Sequence, residues 1–183
     1  GTGAAPLTFS DHVSLPFKIG FARVYEVFQQ EGMADRVVWI GAGKLGFPDR
    51  AVLAMAMGCD MIYVAREAML AVGCIQAQAC HTNKCPVGVT TQDKLRQRAI
   101  DVPVKSARVA RFHANTLHAI AEMTGAAGLS HPGEFLPHHL IMRESERDMV
   151  TGEEVYPYLP EGFLLHGRGE DRFDYRKRWA RSR

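Results

Sequence analysis

The chain has 183 residues, 46% of them hydrophobic and 23% charged, with a formal net charge of +2. These proportions fit a soluble globular domain with a sizeable core. Four cysteines are too few and too clustered for a secreted disulfide scaffold, no apolar run reaches the length of a membrane span, and so small a charge argues against nucleic acid or an acidic membrane as partner. A reducing, cytoplasmic setting is the expectation.

The opening Gly1-Thr2-Gly3-Ala4-Ala5-Pro6 has no Met and lacks the charged-then-apolar order of a signal peptide. It reads as the middle of something larger, a Gly-rich loop with a short polar stretch up to residue 15. Phe17, Phe21, Val24, Val27 and Phe28 then recur at helical spacing and predict a helix from Pro16 to about Gln30, stopped near Gly32. Val37-Val38-Trp39-Ile40 is a continuous apolar run, expected to be a strand buried on both faces. After a Gly-rich turn, Pro48 starts a helix through Met57 that ends at Gly58. Met61-Ile62-Tyr63-Val64-Ala65 is a second buried strand, and Arg66 to Val72 a short helix leading into a cysteine-rich loop. Strands alternating with helices predict parallel β/α units.

Beyond Asp101 a long helical pattern covers residues 105–127, with apolar Val109, Phe112, Leu117, Ile120 and Met123 and a stop at Gly128. Pro132 is expected to open another helix, reaching from Gly133 to about Met142. From Arg143 the chain is polar and reads as an extended tail that needs another surface to order it. Within it, Glu144, Glu146 and Asp148 form a solvated charge run, and the basic Arg176-Lys177-Arg178-Trp179-Ala180-Arg181-Ser182-Arg183 reads as a solvated terminus.

Two motifs carry chemistry. Gly41-Ala42-Gly43-Lys44-Leu45-Gly46 fits G-x-G-x-x-G between a strand and a helix, and Arg66 ends the next strand, where an NADP-binding Rossmann unit puts its 2′-phosphate reader. Pro48, however, delays the helix past the third glycine, and no third strand is evident downstream. The competing reading is a phosphate site of a β/α barrel, with residues 41–44 as one loop and Ala65-Arg66 as the other. A connector without ligand is the third. Cys74, Cys80 and Cys85 are spaced C-x5-C-x4-C. Three soft thiolates on one loop can converge on one face of an inorganic centre, which points to an iron–sulfur cluster. With His81 they make a Cys3His set for structural zinc, although Cys80 and His81 are adjacent; as reduced buried thiols they need no metal. Cys59 reads as a small core residue. His12, His113, His118, His131, His138, His139 and His166 lack ligand-like spacing with a carboxylate, and Asp11-His12 is the pair placed to approach a substrate.

Several blocks together carry a resemblance. Gly1-Thr2-Gly3-Ala4-Ala5-Pro6-Leu7-Thr8, the turn containing Gly43-Lys44-Leu45, Gly73-Cys74-Ile75-Gln76, and Cys80-His81-Thr82-Asn83-Lys84-Cys85-Pro86-Val87-Gly88-Val89-Thr90-Thr91-Gln92 occur in one order. Over roughly residues 1–128 the chain resembles the FMN-binding synthase domain of glutamate synthase. The resemblance implies a (β/α)8 TIM barrel holding FMN, with a 3Fe–4S cluster beside the flavin. The family makes glutamate from 2-oxoglutarate and ammonia released from glutamine, by reduction of 2-iminoglutarate. FMN delivers the hydride and the cluster feeds electrons, which implies an electron-donor protein or an NAD(P)H-oxidising subunit as partner. Carried over, Cys74, Cys80 and Cys85 match the cluster ligands. Gly1, Thr2 and Gly3 match the loop after the sixth barrel strand, Gly41, Gly43 and Lys44 belong to the loop after the seventh, and Ala65 and Arg66 occupy the loop after the eighth.

The chain departs from the family pattern at Ala42, where a Ser or Asp often precedes the glycine, and at Phe47-Pro48, where many relatives have Thr-Gly. Only barrel units six (in part), seven and eight are visible. The strands bearing most flavin-ring contacts and the family's catalytic carboxylate and lysine are not in this stretch, so its catalytic residues are unknown; the glutaminase domain is not in it either. The expected division is 1–73, the last units of an FMN-binding barrel; 74–92, the cysteine loop; 93–142, a helical extension; and 143–183, a tail. A third of a parallel barrel exposes strand edges and inward-facing apolar side chains. The chain is therefore expected to be inactive alone and to complete its barrel with the same or another polypeptide. The alternatives of other classes are an NADP-binding Rossmann module and a non-catalytic fragment with a zinc-bound or empty cysteine loop.

Overall fold

The computed structural model describes residues 5–13 and 15–156. A short helix α1, Leu7–His12, stands where a loop and polar stretch were expected. Helix α2, Phe17–Gln30, follows Pro16, and the chain turns at Gly32 with φ +62°. Two strands, β1 (Ile40–Gly41) and β2 (Met61–Ile62), pair in parallel with Ile40 opposite Met61 and Gly41 opposite Ile62. The connection between them is helix α3, Pro48–Ala56, whose first position is the Pro that cannot donate and need not. Helix α4, Arg66–Val72, leaves β2. The fold is thus α/β, with one β-α-β unit as its centre.

Helix α3 is buried along most of its length, with Asp49 and Arg50 of its first turn exposed. Ala51, Ala54, Ala56 and Met57 are all but inaccessible. One side of the helix packs with Ile120 and Phe135, and Ala54 packs with Leu45 and Cys59; Ile62 of β2 touches both clusters. The long helix α6, Val102–Ala126, lies across α3 and α4. Its buried residues are Thr116, Ile120 and Thr124, a narrow stripe at four-residue spacing, while Leu117 and Met123 of the expected apolar set face outward. The threonines are tolerated there because their hydroxyls donate to the Phe112 and Ile120 carbonyls, at 2.9 and 2.8 Å.

The strands differ from expectation in one respect that matters. They are covered on one face only. Trp39, Gly41, Ile62 and Val64 are buried or half-buried, and Trp39 stacks edge-on with Phe21, Tyr25 and Phe28 at centroid distances of 5.7, 5.0 and 5.0 Å. The alternate residues Val38, Ile40, Met61 and Tyr63 are open to solvent, Val38 to 66% and Tyr63 to 65%. Side chains alternate across a strand, so this is one continuous apolar face of the pair with nothing from the described residues upon it.

Residues 132–142 are not a helix. Pro132–Glu134 and Pro137–His139 are separate 3-10 turns. Each proline forces the residue before it, His131 or Leu136, into extended backbone, which breaks the helix twice. Strands β3 (Ile141–Arg143) and β4 (Met149–Thr151) then form an antiparallel hairpin. Helix α7, Gly152–Val155, follows behind a Thr151–Glu154 capping box. Residues 143–156 are therefore ordered against the chain's own surface rather than extended, and the boundary drawn at 142/143 falls inside β3. An unforeseen helix, α5 (Lys94–Gln97), is capped by Asp93, whose carboxylate accepts from the Leu95 and Arg96 N–H groups. Among the described residues no helix is long and apolar enough to cross a membrane.

Two glycines separate backbone strain from open space. Gly58 has φ +107°, and a methyl group there would stand 2.5 Å from the Tyr25 ring. Gly125, near the end of α6, has nothing within 4 Å. Gly58→Ala is expected to lower stability by about 1–3 kcal/mol, and Gly125→Ala to raise it by about 0.4–1 kcal/mol. Guanidinium unfolding of the two variants beside the wild-type chain checks both signs.

Candidate functional site

The cysteine loop begins where α4 ends. Gly73 caps the helix with φ +120°, and the Cys74 N–H donates back to the Met69 carbonyl at 3.0 Å. The Gln76 N–H in turn donates to the Cys74 sulfur at 3.4 Å. Three non-glycine residues of the loop, Gln76, Gln78 and Asn83, have φ near +60°, a conformation that costs an L-residue about 1–2 kcal/mol. The one other such residue among those described is Lys44, in the glycine turn. Backbone held in this region persists where its surroundings over-determine it, and such places cluster at functional sites.

The surroundings that hold the loop are identifiable. The Asn83 amide oxygen accepts from the Gln92 N–H at 2.6 Å and the Thr91 hydroxyl at 3.1 Å, while that hydroxyl also donates to the Asn83 carbonyl at 2.7 Å. Gln97 of α5 donates to the Thr91 carbonyl, and Arg96 to the Lys84 carbonyl. A side chain at Gly88, whose φ is +80°, would overlap the Arg96 carbonyl, so α5 presses directly on the loop. Sequence reading quoted Asn83, Thr91 and Gln92 as part of a block but gave them no role. The Asx-type pairing of Asn83 with residues eight and nine further on has no local spacing signal.

Cys74, Cys80 and Cys85 line one small cavity, of about 10 Å³. The rest of its wall is almost wholly apolar: Met69, Ile75, Ala79, Pro86, Val87 and Val89 among others. Burial pushes the Cys85 thiol up, but hydrogen bonds from the backbone N–H groups of Thr90, Val87 and Val89 outweigh it and hold the thiol down to about 7. No three His, Cys, Asp or Glu side chains among the described residues gather closely enough for a single metal ion. His81 is exposed and is not part of the cavity wall. A tetrahedral zinc site needs its sulfurs about 3.8 Å apart; the structure does not assemble the Cys3His set. Cys59 is elsewhere, buried beside Gly41, and burial with the neighbouring Asp60 carboxylate pushes its thiol up to about 12. It is an inert core residue, as expected.

The glycine turn and the β2–α4 junction meet. The Tyr63 N–H donates to the Gly41 carbonyl at 2.8 Å, and a methyl on Gly46 would lie 2.6 Å from Val64 and 2.8 Å from Glu67. Gly41 is required by Cys59, Leu45 and Phe17, each within about 3 Å of where its Cβ would be. The outer two glycines of the motif thus serve internal packing, and Gly46 packs against the next unit rather than its own helix, unlike the third glycine of a dinucleotide fold. Ala42, Gly43 and Lys44 between them are exposed, with Gly43 at φ +144°. Ala65 precedes α4 and Arg66 is its first residue, so the tip of the turn and residues 65–66 both lie at the carboxyl ends of the parallel strands. The structure brings Gly41, Gly43, Lys44, Ala65 and Arg66 into one region. Gly1, Thr2 and Gly3 lie outside the described residues.

The family model described as the conserved region in glutamate synthase matches residues 1–130. The chain is 34% identical over 151 residues to the glutamate synthase large subunit-like protein YerD of Bacillus subtilis, covering 82% of this chain and 29% of that protein. It is 35% identical over 130 residues to an archaeal glutamate synthase [NADPH] of Methanocaldococcus jannaschii, covering 71% and 26%. It is also 35% identical over 152 residues to a ferredoxin-dependent glutamate synthase of Pyropia yezoensis, covering 82% and 10%. The chain spans less than a third of the length of each of these relatives.

If the cavity wall is a ligand set, its members and the core cysteine must behave differently. Cys74→Ser, Cys80→Ser and Cys85→Ser are each expected to remove most bound iron, and Cys59→Ala to leave it unchanged. Iron and acid-labile sulfide measured on anaerobically purified protein distinguish them; equal loss in all four would count against the assignment.

Proposed function

The chain belongs to the glutamate synthase family, and from that membership we propose that it supplies the last units of an FMN-binding (β/α)8 barrel with a 3Fe–4S cluster, in an oxidoreductase that reduces 2-iminoglutarate, formed from 2-oxoglutarate and nitrogen from ammonia or glutamine, to glutamate. The observation that carries the cofactor reading is the shared cavity of Cys74, Cys80 and Cys85. Its thiols line one wall without converging as a single ion demands. In a 3Fe–4S cluster each thiolate would bind a different iron. The N–H groups around Cys85 favour the thiolate that must be its bonding form.

The barrel reading is supported by the parallel β1–α3–β2 unit and by the apolar face it leaves open. In a closed barrel that face is the interior, filled by side chains of the other strands. The flavin phosphate is assigned to the two adjoining loops. The exposed Gly43 lets backbone approach an anion closely, and Lys44 and Arg66 bring positive charge to the same end of the strands. Gly1, Thr2 and Gly3 are assigned to the neighbouring loop at that end. When bound, FMN supplies hydride transfer and the cluster one-electron transfer. The part of this chain is to bind, orient and shield them. Catalytic residues are sought on the strands that complete the barrel. The electron donor is a protein or an NAD(P)H-oxidising subunit, and the free thiols of all four cysteines suit a cytoplasmic setting.

Full-length protein purified without oxygen tests this. The expected result is FMN together with about three iron ions per chain, an electron paramagnetic resonance signal from the oxidised cluster, and glutamate formed from 2-oxoglutarate and a nitrogen donor under a low-potential reductant. Zinc at the cysteines, or a retained pyridine nucleotide without flavin, would overturn it.

A further inference from the structure

At the amino ends of β1 and β2, away from the glycine turn and residues 65–66, the surface opens into a cleft of about 340 Å³. That volume lies in the range of small-molecule sites. Three stretches distant in sequence wall it: the end of α2 with Tyr25 and Gln29, the end of α3 with the turn into β2 (residues 55–60), and residues 131–137. The family match stops at residue 130, so one wall is built by chain beyond the matched region.

The cleft joins buried apolar residues to exposed polar ones, and its charge has one sign. Met57 and Phe135 are buried, whereas Asp60 and His131 are exposed. Among the described residues no lysine or arginine lines it, and Asp60 supplies its carboxylate. One Asp60 oxygen accepts from the Trp39 N–H at 2.7 Å, and the other has no donor among the described residues. The Gln29 Oε1 is shut off from solvent and has no hydrogen-bond partner among them either. A buried acceptor left unmet is costly until a donor reaches it. Burial, and then the carboxylates of Asp35 and Asp60, push the Tyr25 phenol up, so a negative field reaches this part of the wall. Tyr25, Phe135 and His131 add aromatic surface, which attracts cations.

We propose that this cleft binds a small organic cation, a primary ammonium on a short aliphatic chain. The Asp60 carboxylate neutralises the charge, the Gln29 Oε1 accepts an N–H of the ammonium, and the alkyl part covers the apolar residues. An anion of the same size meets a carboxylate with no cation to oppose it, and a neutral alcohol brings no counter-charge, so both are discriminated against. The ligand touches α2, α3 and residues 131–137 at once, and its binding to the folded chain alone stabilises their junction. The site stands apart from the cysteine cavity and the glycine turn and does not depend on the cofactor reading.

The test uses full-length protein and three probes of one shape, n-pentylammonium, n-pentanol and pentanoate. Isothermal titration of the wild type is expected to give a Kd in the millimolar range for n-pentylammonium, about tenfold or more weaker binding for n-pentanol, and none for pentanoate. Asp60→Asn keeps an oxygen for the Trp39 N–H and removes the charge; it is expected to weaken n-pentylammonium about tenfold. Gln29→Leu removes the unmet acceptor and is expected to weaken it about threefold or more. A cooperative thermal transition marks the variants that have folded, and the probe series on the wild type decides the matter even where they have not. Absence of n-pentylammonium binding up to about 50 mM, equal binding of n-pentanol or pentanoate, or folded variants that both bind as tightly as the wild type each overturn the proposal.

Discussion

The close packing of α3 is what every other feature depends on. Ala51, Ala54 and Ala56 have side chains too small to hold neighbours away, so α6, β2 and the turn at Pro132–Glu134 close upon the helix from different sides. That fixes the β1–α3–β2 unit as a rigid block. The glycine turn is drawn tight against it, since Gly41 and Gly46 have no room for even a methyl group. The tip, residues 42–44, is the exposed part of the turn. A larger residue on the α3 surface would move α6.

The same block leaves an unbalanced surface. Burying a large apolar side chain contributes about 1.5–3 kcal/mol, and Val38, Ile40, Met61 and Tyr63 forgo that contribution together on one face of the strand pair. A monomeric surface rarely keeps such a patch contiguous. The helix-covered face and the open face belong to the same two strands, so the asymmetry is built into the architecture. A closed barrel would resolve it; the three relatives named above are each more than twice the length of this chain.

The cysteine loop is organised by different physics. It has no extensive core of its own and is held by hydrogen bonds from Asn83, Thr91, Gln92 and Gln97 and by the pressure of α5 at Gly88. These contacts offset the unfavourable backbone of Gln76, Gln78 and Asn83. The result gathers the three cysteines on one small cavity and leaves charge facing solvent.

Much of this was legible in the sequence. The helices α2, α3 and α4 followed from apolar periodicity, Pro48 and the glycines at 32 and 58, because these act through local backbone geometry. The C-x5-C-x4-C spacing and its flanking residues pointed to one family for the same reason: ligand spacing on a loop is a local property. The failures share the opposite cause. The strands β1 and β2 are covered on one face only, and an apolar run by itself does not reveal which face a tertiary neighbour will cover. The buried stripe of α6 was set by two threonines whose hydroxyls found backbone partners, not by hydrophobicity. The double break at His131 and Leu136 overrode an otherwise helical pattern. The sequence by itself determined the family and the spacing of the three cysteines. Only the tertiary structure decided that three cysteines share one cavity, that two phosphate-loop candidates adjoin, and that α2, α3 and residues 131–137 wall one cleft, because each depends on chain segments brought together by packing.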